Sequence, residues 1–316
     1  MTPGTTIAMT QKLFDAKLVR RAGAVGTALL LDHLTPEPPN VWHPVAWFGS
    51  AMTKLENRVW ANSRTRGSGY AIAGFACGAL VGRTVRSTTV ALTDALGGAS
   101  LRSTASEIGA HLEDDQLERA RTVLPSLVGR NPSELDASGI ASAVVESVAE
   151  NAVDAVVAPA FWAFVAGAPG ALGYRAINTM DAMVGHHNPR FEQFGWTSAR
   201  LDDIANFIPA RLFAGAVWIV SPKQRNAIAR AVQEDAPAHP SPNAGVAESS
   251  VAAAIGVELG GPLQYGDKIE NRPLLGVGPR PNAASIPDAI RTTDKATVFL
   301  AAAAGACAVL AQRKSR

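Results

Sequence analysis

The stretch that decides the fold begins with Glu146-Ser-Val-Ala-Glu-Asn-Ala-Val-Asp154 and continues directly into the uncharged segment Ala155 to Tyr174. Carboxylates at i, i+4 and i+8 lie along one side of a helix, beside a separate apolar stripe. The segment that follows has the length of a membrane-spanning helix, although it contains Pro159 and Pro169. Acidic groups so close to apolar sequence are costly, so function is sought here first.

The acidic stripe has two interpretations. Like charges at i, i+4 repel each other by roughly a few tenths of a kcal/mol in water, so a solvated helix face is the simpler one. A bound cation reverses that sign, and Mg²⁺ prefers carboxylate oxygens together with substrate phosphates. The sharper interpretation therefore makes Glu146, Glu150 and Asp154 a magnesium site.

Two polar sets with one spacing follow, each with a guanidinium, an amide and a carboxylate on neighbouring turns. The sets are Arg175, Asn178 and Asp181, and Arg200, Asp203 and Asn206. The planar fork of a guanidinium matches phosphate and carboxylate, and Arg211 adds a further one. His186 and His187 are candidates for acid–base chemistry. Simple Arg–Asp pairing and a structural histidine remain the alternative.

The composition favours a helical protein with membrane-inserted segments. Hydrophobic residues make up 47% of the 316 and charged residues only 18%, against roughly 25% charged in an average soluble protein. The net charge of +2 and the absence of a basic patch argue against nucleic-acid binding. The cysteines, Cys77 and Cys307, lie in apolar runs and do not form a disulfide framework. We expect no signal peptide, because residues 1–18 are polar.

We predict an all-α, polytopic helical membrane protein with polar cytoplasmic helices and long Pro/Gly-rich loops. Residues 1–316 form a single membrane domain in this prediction, with 105–135 and 223–293 largely aqueous. No alternating strand pattern is visible, and 260–287 is interpreted as mostly loop. The shorter span candidates are Ala22–Leu31, Gly67–Gly82 and Ala296–Gln312, and Leu212–Pro222 is a further apolar run. A soluble all-α protein with buried helices is the alternative, because short apolar runs are ambiguous.

Familiar catalytic motifs are absent. The sequence has no GxxxxGK[ST] phosphate loop, no GxGxxG, no HExxH and no GxSxG. If the protein uses ATP, it does so without a familiar nucleotide loop. The residues alone indicate a membrane-linked helical site, rich in carboxylates and arginines, for anionic ligands.

At these residues the sequence resembles the CobD/CbiB family of cobalamin biosynthesis, the adenosylcobinamide-phosphate synthases. The resemblance covers nearly the whole chain. Its motifs are Leu31-Asp32, His43-Pro44-Val45, Val128-Gly-Arg130, Glu146-Ser-Val-Ala-Glu-Asn151 with Asp154, Ala176-Ile-Asn178-Thr-Met-Asp181, Ser198-Ala-Arg-Leu-Asp-Asp203 with Asn206 and Pro209-Ala-Arg211, and His239-Pro-Ser-Pro-Asn243 with Glu248. Ala152 departs from the pattern, where a Thr is common.

The resemblance implies a multi-pass protein of the cytoplasmic membrane, in contact with lipid and with its active site facing the cytoplasm. The implied reaction joins adenosylcobyric acid to (R)-1-amino-2-propanol phosphate, or to free aminopropanol, through an amide. ATP and Mg²⁺ would be co-substrate and activator, and other late enzymes of the pathway are possible partners. The alternatives are a non-catalytic corrinoid-binding scaffold for those enzymes and, with less support, a transporter.

The resemblance supplies the reaction, and the roles of the site residues are our hypotheses. The candidate catalytic residues are Glu146, Glu150, Asp154, Asp181 and His186, the first three also holding magnesium. The candidate substrate-binding residues are Asp32, His43, Arg130, Asn151, Arg175, Asn178, Arg200, Asp203, Asn206, Arg211, His239 and Asn243.

Overall fold

The computed structural model describes residues 3–35, 43–129, 131–265 and 268–314, and these are mostly helical. The helices are α1 (Pro3–Leu34), α2 (Pro44–Val59), α3 (Arg64–Val85), α4 (Thr88–Ala95), α5 (Gly98–Glu113), α6 (Leu117–Val123), α7 (Ala137–Ala152), α8 (Ala158–Ala166), α9 (Ala168–Val184), α10 (Trp196–Val220), α11 (Arg225–Glu234), α12 (Ala244–Ile255) and α13 (Ser285–Lys314). Short 3₁₀ turns lie at Leu124–Ser126 and Ala236–Ala238. The helical part of the predicted fold class is confirmed.

The chain divides into two compact units. The first comprises Met1–Leu96, Ala158–Ala205 and Leu300–Arg316, and the second comprises Gly97–Val157 and Asn206–Phe299. Both units are therefore assembled from segments that are distant in sequence. The single membrane domain over 1–316 stays a prediction.

The first unit is built on close packing of α3 against α9. A Cβ on Gly78 would lie 2.6 Å from the carbonyl oxygen of Leu172, and one on Gly82 would lie 2.6 Å from that of Ala168. Small residues on one helix face let two backbones approach, as is common between membrane helices. Buried Tyr70 and Phe194 extend this core, with ring centroids 5.2 Å apart. This packing fixes α9, which carries several of the predicted site residues.

The second unit contains α7, whose residues from Gly139 to Ala149 are buried. A π turn at Val153–Val157 interrupts the regular helix before α8 begins. Pro159 explains the π turn, because it has no N–H for the carbonyl of Ala155 and its ring crowds that group. The Ala155 carbonyl instead accepts a hydrogen bond from the N–H of Gly97 at 3.0 Å.

An antiparallel hairpin corrects the all-α prediction. Strand β1 (Leu259–Tyr265) pairs with β2 (Lys268–Leu275) over part of the stretch interpreted as loop. Glycine and proline within the strands obscure the alternation that reveals a strand in sequence. Gly260 adopts φ +79° at a bulge, and a Cβ there would lie 2.0 Å from the carbonyl oxygen of Pro273. Only glycine fits this crossing of the two strands.

Among the described residues, two helices are long and apolar enough to span a membrane, Ala137–Ala166 and Trp196–Val220. Core helices of soluble proteins meet the same criterion of length and composition. The predicted span Ala155–Tyr174 is wrong as one helix, because Gly167 at φ +70° separates α8 from α9. One exposed face of α10, its apolar stripe, carries the large apolar residues Ile204, Phe207, Ile208, Leu212, Trp218 and Ile219, with the guanidinium of Arg211 over the Phe207 ring. Such a stripe suits a lipid or protein neighbour better than water.

Candidate functional site

The predicted acidic stripe on α7 is only partly regular. Glu146 is 3% exposed, and its Oε1 atom accepts a long hydrogen bond of 3.4 Å from the N–H of Gly260. Glu150 is exposed, and Asp154 lies on the π turn. A π turn holds more residues than an α turn, so Asp154 leaves the i, i+4 register that the sequence predicted. The i, i+4, i+8 alignment is therefore corrected to a pair followed by an offset residue.

The three carboxylates do not form a metal cluster by themselves. Within the described part of the chain, no three His, Cys, Asp or Glu side chains converge closely enough to hold an ion. Two of the three carboxylates differ in burial: Glu146 is enclosed, whereas Glu150 faces solvent. The arrangement does not fit a magnesium ion held by these side chains alone. Magnesium binding shared with nucleotide phosphates stays a prediction.

A buried polar cluster surrounds His239 in the second unit. Its Nε2 atom lies 3.8 Å from Oε2 of Glu248, and both side chains are at least 90% enclosed. Its Nδ1 atom lies 3.1 Å from the backbone nitrogen and 3.2 Å from the carbonyl oxygen of Ser241, so the backbone accommodates either tautomer. Ser241 also accepts hydrogen bonds from the N–H groups of Asn243 and Ala244, which caps the start of α12. The turn before α12 therefore fixes the imidazole.

Burial lowers the pKa of His239 below its ordinary value. The hydrogen bond with Ser241 raises it, the nearby Arg272 guanidinium lowers it, and the Glu146 carboxylate raises it. The net shift is downward, so the imidazole is neutral at neutral pH. A neutral imidazole beside carboxylates can take up a proton, which is the property required of a general base.

Arg211 is attached to the same turn. Its guanidinium donates to the Asn243 side chain at 3.0 Å and to the carbonyls of Phe207 at 2.9 Å and Pro242 at 3.4 Å. It also lies 3.6 Å from the centre of the Phe207 ring. The structure thus joins three predicted site residues, Arg211, His239 and Asn243, through one segment. Glu146 is linked to the same cluster through its electrostatic effect on His239.

The first unit contains a second cluster, formed by α9 and α10. Arg175 donates to the Asn178 amide oxygen at 3.2 Å, as the i, i+3 spacing predicts. Asn178 in turn donates to Oδ1 of Asp202 at 3.3 Å. On α10, Arg200 donates to Asp203 at 3.3 Å, and its side chain is 60% exposed. Within this unit, Asp202 therefore links α10 to the Arg175–Asn178 pair of α9.

The remaining predicted residues are placed as follows. His43 is the N-cap of α2 and accepts from the N–H of Val45 at 3.3 Å, so it has a structural role. Asp32 in α1 and Asn206 in α10 are buried, and Asp181 in α9 is half-buried. His186 is exposed after α9, and Asn151 donates to the backbone and side chain of Ser147. Arg130 lies outside the described residues.

Sequence reasoning left four residues of these clusters out of the site. They are Asp202, Ser241, Glu248 and Arg272. Glu248 had a usable signal, because it is the only ionisable residue in the apolar stretch 244–257. Arg272 lies in a strand that was interpreted as loop, so no sequence pattern indicated that it lies near His239. Asp202 was passed over for Asp203, which carries the regular spacing.

Comparisons with known proteins give the family. A family model described as CobD/Cbib protein matches residues 25–293. The cobalamin biosynthesis protein CobD of Mycobacterium tuberculosis is 43% identical over 292 residues, covering 88% of this chain and 93% of the relative. Its namesakes from Rhodobacter capsulatus and Chromobacterium violaceum are each 37% identical, over 91% and 90% of this chain and 96% and 95% of their own lengths. No solved structure matches significantly. With most of its length covered by these matches, the chain belongs to the CobD/CbiB family of cobalamin biosynthesis proteins.

Proposed function

We propose that this protein is an ATP-dependent acid–amine ligase that forms adenosylcobinamide phosphate. Its substrates are adenosylcobyric acid and (R)-1-amino-2-propanol phosphate, with free aminopropanol as the alternative amine. The observation that carries the proposal is the buried His239–Glu248 pair, close to Glu146 and joined to Arg211 through one turn. Together they provide a proton acceptor, carboxylates and an anion-binding group in a family of cobalamin biosynthesis.

The proposed chemistry has two steps because a carboxylate does not condense with an amine unaided. The corrinoid carboxylate first attacks the γ-phosphorus of ATP, which gives an acyl phosphate and ADP. The amine nitrogen then attacks the acyl carbon, the bond from carbon to the phosphate oxygen breaks, and phosphate leaves. Magnesium bound to ATP would neutralise charge on the transferred phosphoryl group. The protein's contribution is to bind, orient and move protons.

Anionic groups on the substrates suit the arginines of both clusters. Arg211 is held by Asn243 and Pro242, so less side-chain freedom is lost when it binds an anion. Arg200 is exposed and paired with a single aspartate, which leaves donors of its fork directed elsewhere. We assign phosphate binding to these guanidiniums. The ATP phosphates and the phosphate of the amine are the groups they would hold.

The proposal includes a membrane location. The exposed apolar stripe of α10 supports it, because a surface of this kind is costly in water. We propose several spans in the cytoplasmic membrane, with the site on the cytoplasmic side where ATP is supplied. Other late enzymes of the pathway are proposed neighbours there.

The test is product formation by the full-length protein purified in detergent. The mixture contains adenosylcobyric acid, Mg-ATP and either amine, and mass spectrometry detects the amide while a coupled assay measures ADP. We expect amide and ADP in equal amounts. Corrinoid binding without amide, while an active ligase of the same class turns over in parallel, would instead support a non-catalytic scaffold.

Glu150→Gln tests the magnesium prediction within the same assay. The substitution keeps the size of the side chain and removes its charge. If Glu150 contributes a ligand shared with nucleotide phosphates, the Mg²⁺ concentration for half-maximal activity should rise at least about tenfold. Wild-type activity with an unchanged magnesium requirement removes Glu150 from the site.

A further inference from the structure

We propose that His239 accepts the ammonium proton of the amine substrate and that Glu248 positions His239 for this task. The inference rests on the proposed ligase function and names the residues that make the amine nucleophilic. An amine is protonated at neutral pH and has no lone pair for attack. A ligase of this kind therefore needs a proton acceptor near the site of bond formation.

The geometry leaves Nε2 of His239 available. With a proton on Nδ1, that atom donates to the Ser241 carbonyl at 3.2 Å, and Nε2 then carries the lone pair. The Glu248 carboxylate lies 3.8 Å from Nε2, which is beyond hydrogen-bond reach. It therefore favours the protonated ring by charge without occupying the lone pair. Such contacts often shorten only when substrate is bound.

Three charged side chains lie around the ring. Glu248 on α12 and Glu146 on α7 contribute carboxylates, and Arg272 on β2 contributes a guanidinium. The effect of Arg272 exceeds that of Glu146, so the Glu248 carboxylate beside Nε2 is the group that stabilises the imidazolium that forms. Burial keeps the ring neutral beforehand, so it can accept a proton when the substrate binds.

His186, the histidine that the sequence favoured for this role, is placed differently. It is exposed in the segment after α9, where bulk water competes for the proton. His239 is enclosed and its ring is fixed by the turn that caps α12. An oriented, dehydrated base contributes more to catalysis than a solvated one. The structure therefore favours His239.

The proposed step balances in atoms and charge. The ammonium gives one proton to Nε2 of His239, and the resulting amine lone pair forms the new bond to the acyl carbon. The bond between that carbon and the phosphate oxygen breaks, and its electrons leave with the phosphate. The second nitrogen-bound proton is transferred to the departing phosphate. The products are the amide, hydrogen phosphate and the His239 imidazolium, which then releases its proton to solvent.

Hydroxylamine separates proton uptake from the earlier activation step. It is largely unprotonated at neutral pH, so it attacks an acyl phosphate without a base and gives a hydroxamate. We expect His239→Gln and His239→Asn to form amide from aminopropanol phosphate at least about 100-fold more slowly than wild type. Hydroxamate and ADP formation with hydroxylamine should stay within about threefold, which also shows that the variants are folded.

Glu248→Gln should lower kcat for amide formation at least about tenfold, while KM for the amine changes less than about twofold. Glu248→Asp, which restores the charge, should recover part of the loss. His111→Gln is the matched control, because that histidine lies on α5, where its ring contacts Glu107 and Gln116. It should behave as wild type with both nucleophiles.

The outcomes distinguish this inference from the ligase proposal. A wild-type protein that yields neither amide nor hydroxamate contradicts the ligase itself. An active wild type contradicts the inference alone if the His239 variants still form amide within tenfold of its rate. Equal loss of amide and hydroxamate in both His239 variants, with Glu248→Gln at the wild-type rate, likewise rejects His239 as the proton acceptor.

Discussion

Arg200 allows phosphate binding to be tested apart from ion pairing. Its guanidinium donates to Asp203, yet 60% of the side chain is exposed. Arg200→Lys keeps the charge but loses the planar fork. We expect KM for aminopropanol phosphate to rise about tenfold, which corresponds to about 1.4 kcal/mol. Steady-state kinetics with free aminopropanol should show an unchanged KM, because that amine carries no phosphate.

Arg291→Lys is the control for this substitution. Arg291 lies on α13 and pairs with Asp288 three residues earlier, so it has the i, i+3 spacing of the Arg200–Asp203 pair in the opposite order and a similar exposure. It lies outside both polar clusters, so KM should stay at the wild-type value for either amine. A similar increase for both amines in Arg200→Lys would count against phosphate binding there and favour an indirect effect on α10.

Asp94 provides a prediction about pH and stability. Burial raises the pKa of its carboxyl, while His43 opposes the shift. A folded-state pKa above the unfolded value means that ionisation costs stability, which is highest at low pH and declines as pH rises through the folded value. Asp94→Asn should therefore raise the melting temperature at pH 7.5. The gain should shrink toward the ordinary aspartate pKa of about 3.9.

Thermal unfolding in detergent, followed by circular dichroism at several pH values, measures this effect. A lower melting temperature for Asp94→Asn at pH 7.5 would mean that attraction between the carboxylate and His43 outweighs the burial cost. An equal gain at all pH values would point to a packing change rather than to ionisation.

At the residue scale, contacts between neighbours on one helix could be predicted from the sequence, and contacts between distant residues could not. The pairing of Arg175 with Asn178 follows from a local i, i+3 spacing, so it could be predicted. The proximity of His239 to Glu146 could not, because about ninety residues separate them and only the tertiary fold brings them together. Asp202 was left out because the neighbouring Asp203 carries the regular i, i+3 spacing from Arg200.

At the element scale, two glycines of α3 test the packing of the first unit. A Cβ on Gly78 would lie 2.6 Å from the Leu172 carbonyl of α9, whereas a Cβ on Gly69 meets nothing within 4 Å. We expect Gly78→Ala to lower the free energy of unfolding by about 1–3 kcal/mol through overpacking. Gly69→Ala should raise it by up to about 1 kcal/mol, because alanine favours the helix.

Denaturant or thermal unfolding of the two variants in one detergent measures the difference. The pair shares a helix and a chemical change, so any general effect of alanine on α3 cancels. A stable Gly78→Ala variant would show that α3 and α9 are not in the close contact that the structure gives them. An unstable Gly69→Ala variant would indicate a neighbour on its open face.

Element boundaries that depend on backbone strain escaped prediction. The charge-free run Ala155–Tyr174 has the composition of one span, but Gly167 adopts a left-handed conformation and divides it. The effect of Pro159 is subtler, since it converts one turn to π geometry without ending the helix. The hairpin was missed because its strands contain glycine and proline where apolar alternation is expected. In each case a pattern over a few residues predicted a regular helix or a loop, whereas the tertiary structure has a different backbone conformation there.

At the scale of the whole molecule, family membership carries information that composition lacks. Apolar content is compatible with either a membrane protein or a soluble helical protein with a buried core. Two helices of sufficient length among the described residues do not separate these classes. The exposed side chains of α10 are independent evidence for a lipid or protein neighbour, because this helix directs large apolar residues outward along one stripe. Membrane insertion is therefore best tested on that helix.

Ile208 lies in the middle of this stripe and is 52% exposed. We expect the wild-type chain to stay in the membrane pellet after alkaline carbonate extraction. Ile208→Lys places a charge where lipid is proposed, at a cost of about 2.5–3.5 kcal/mol near a bilayer centre, so the extracted fraction should increase. Val277→Lys is the control, since Val277 is 81% exposed in a segment predicted to be aqueous. Complete extraction of the wild type would contradict insertion, and an unchanged pellet for Ile208→Lys would assign the stripe to a protein neighbour instead of lipid.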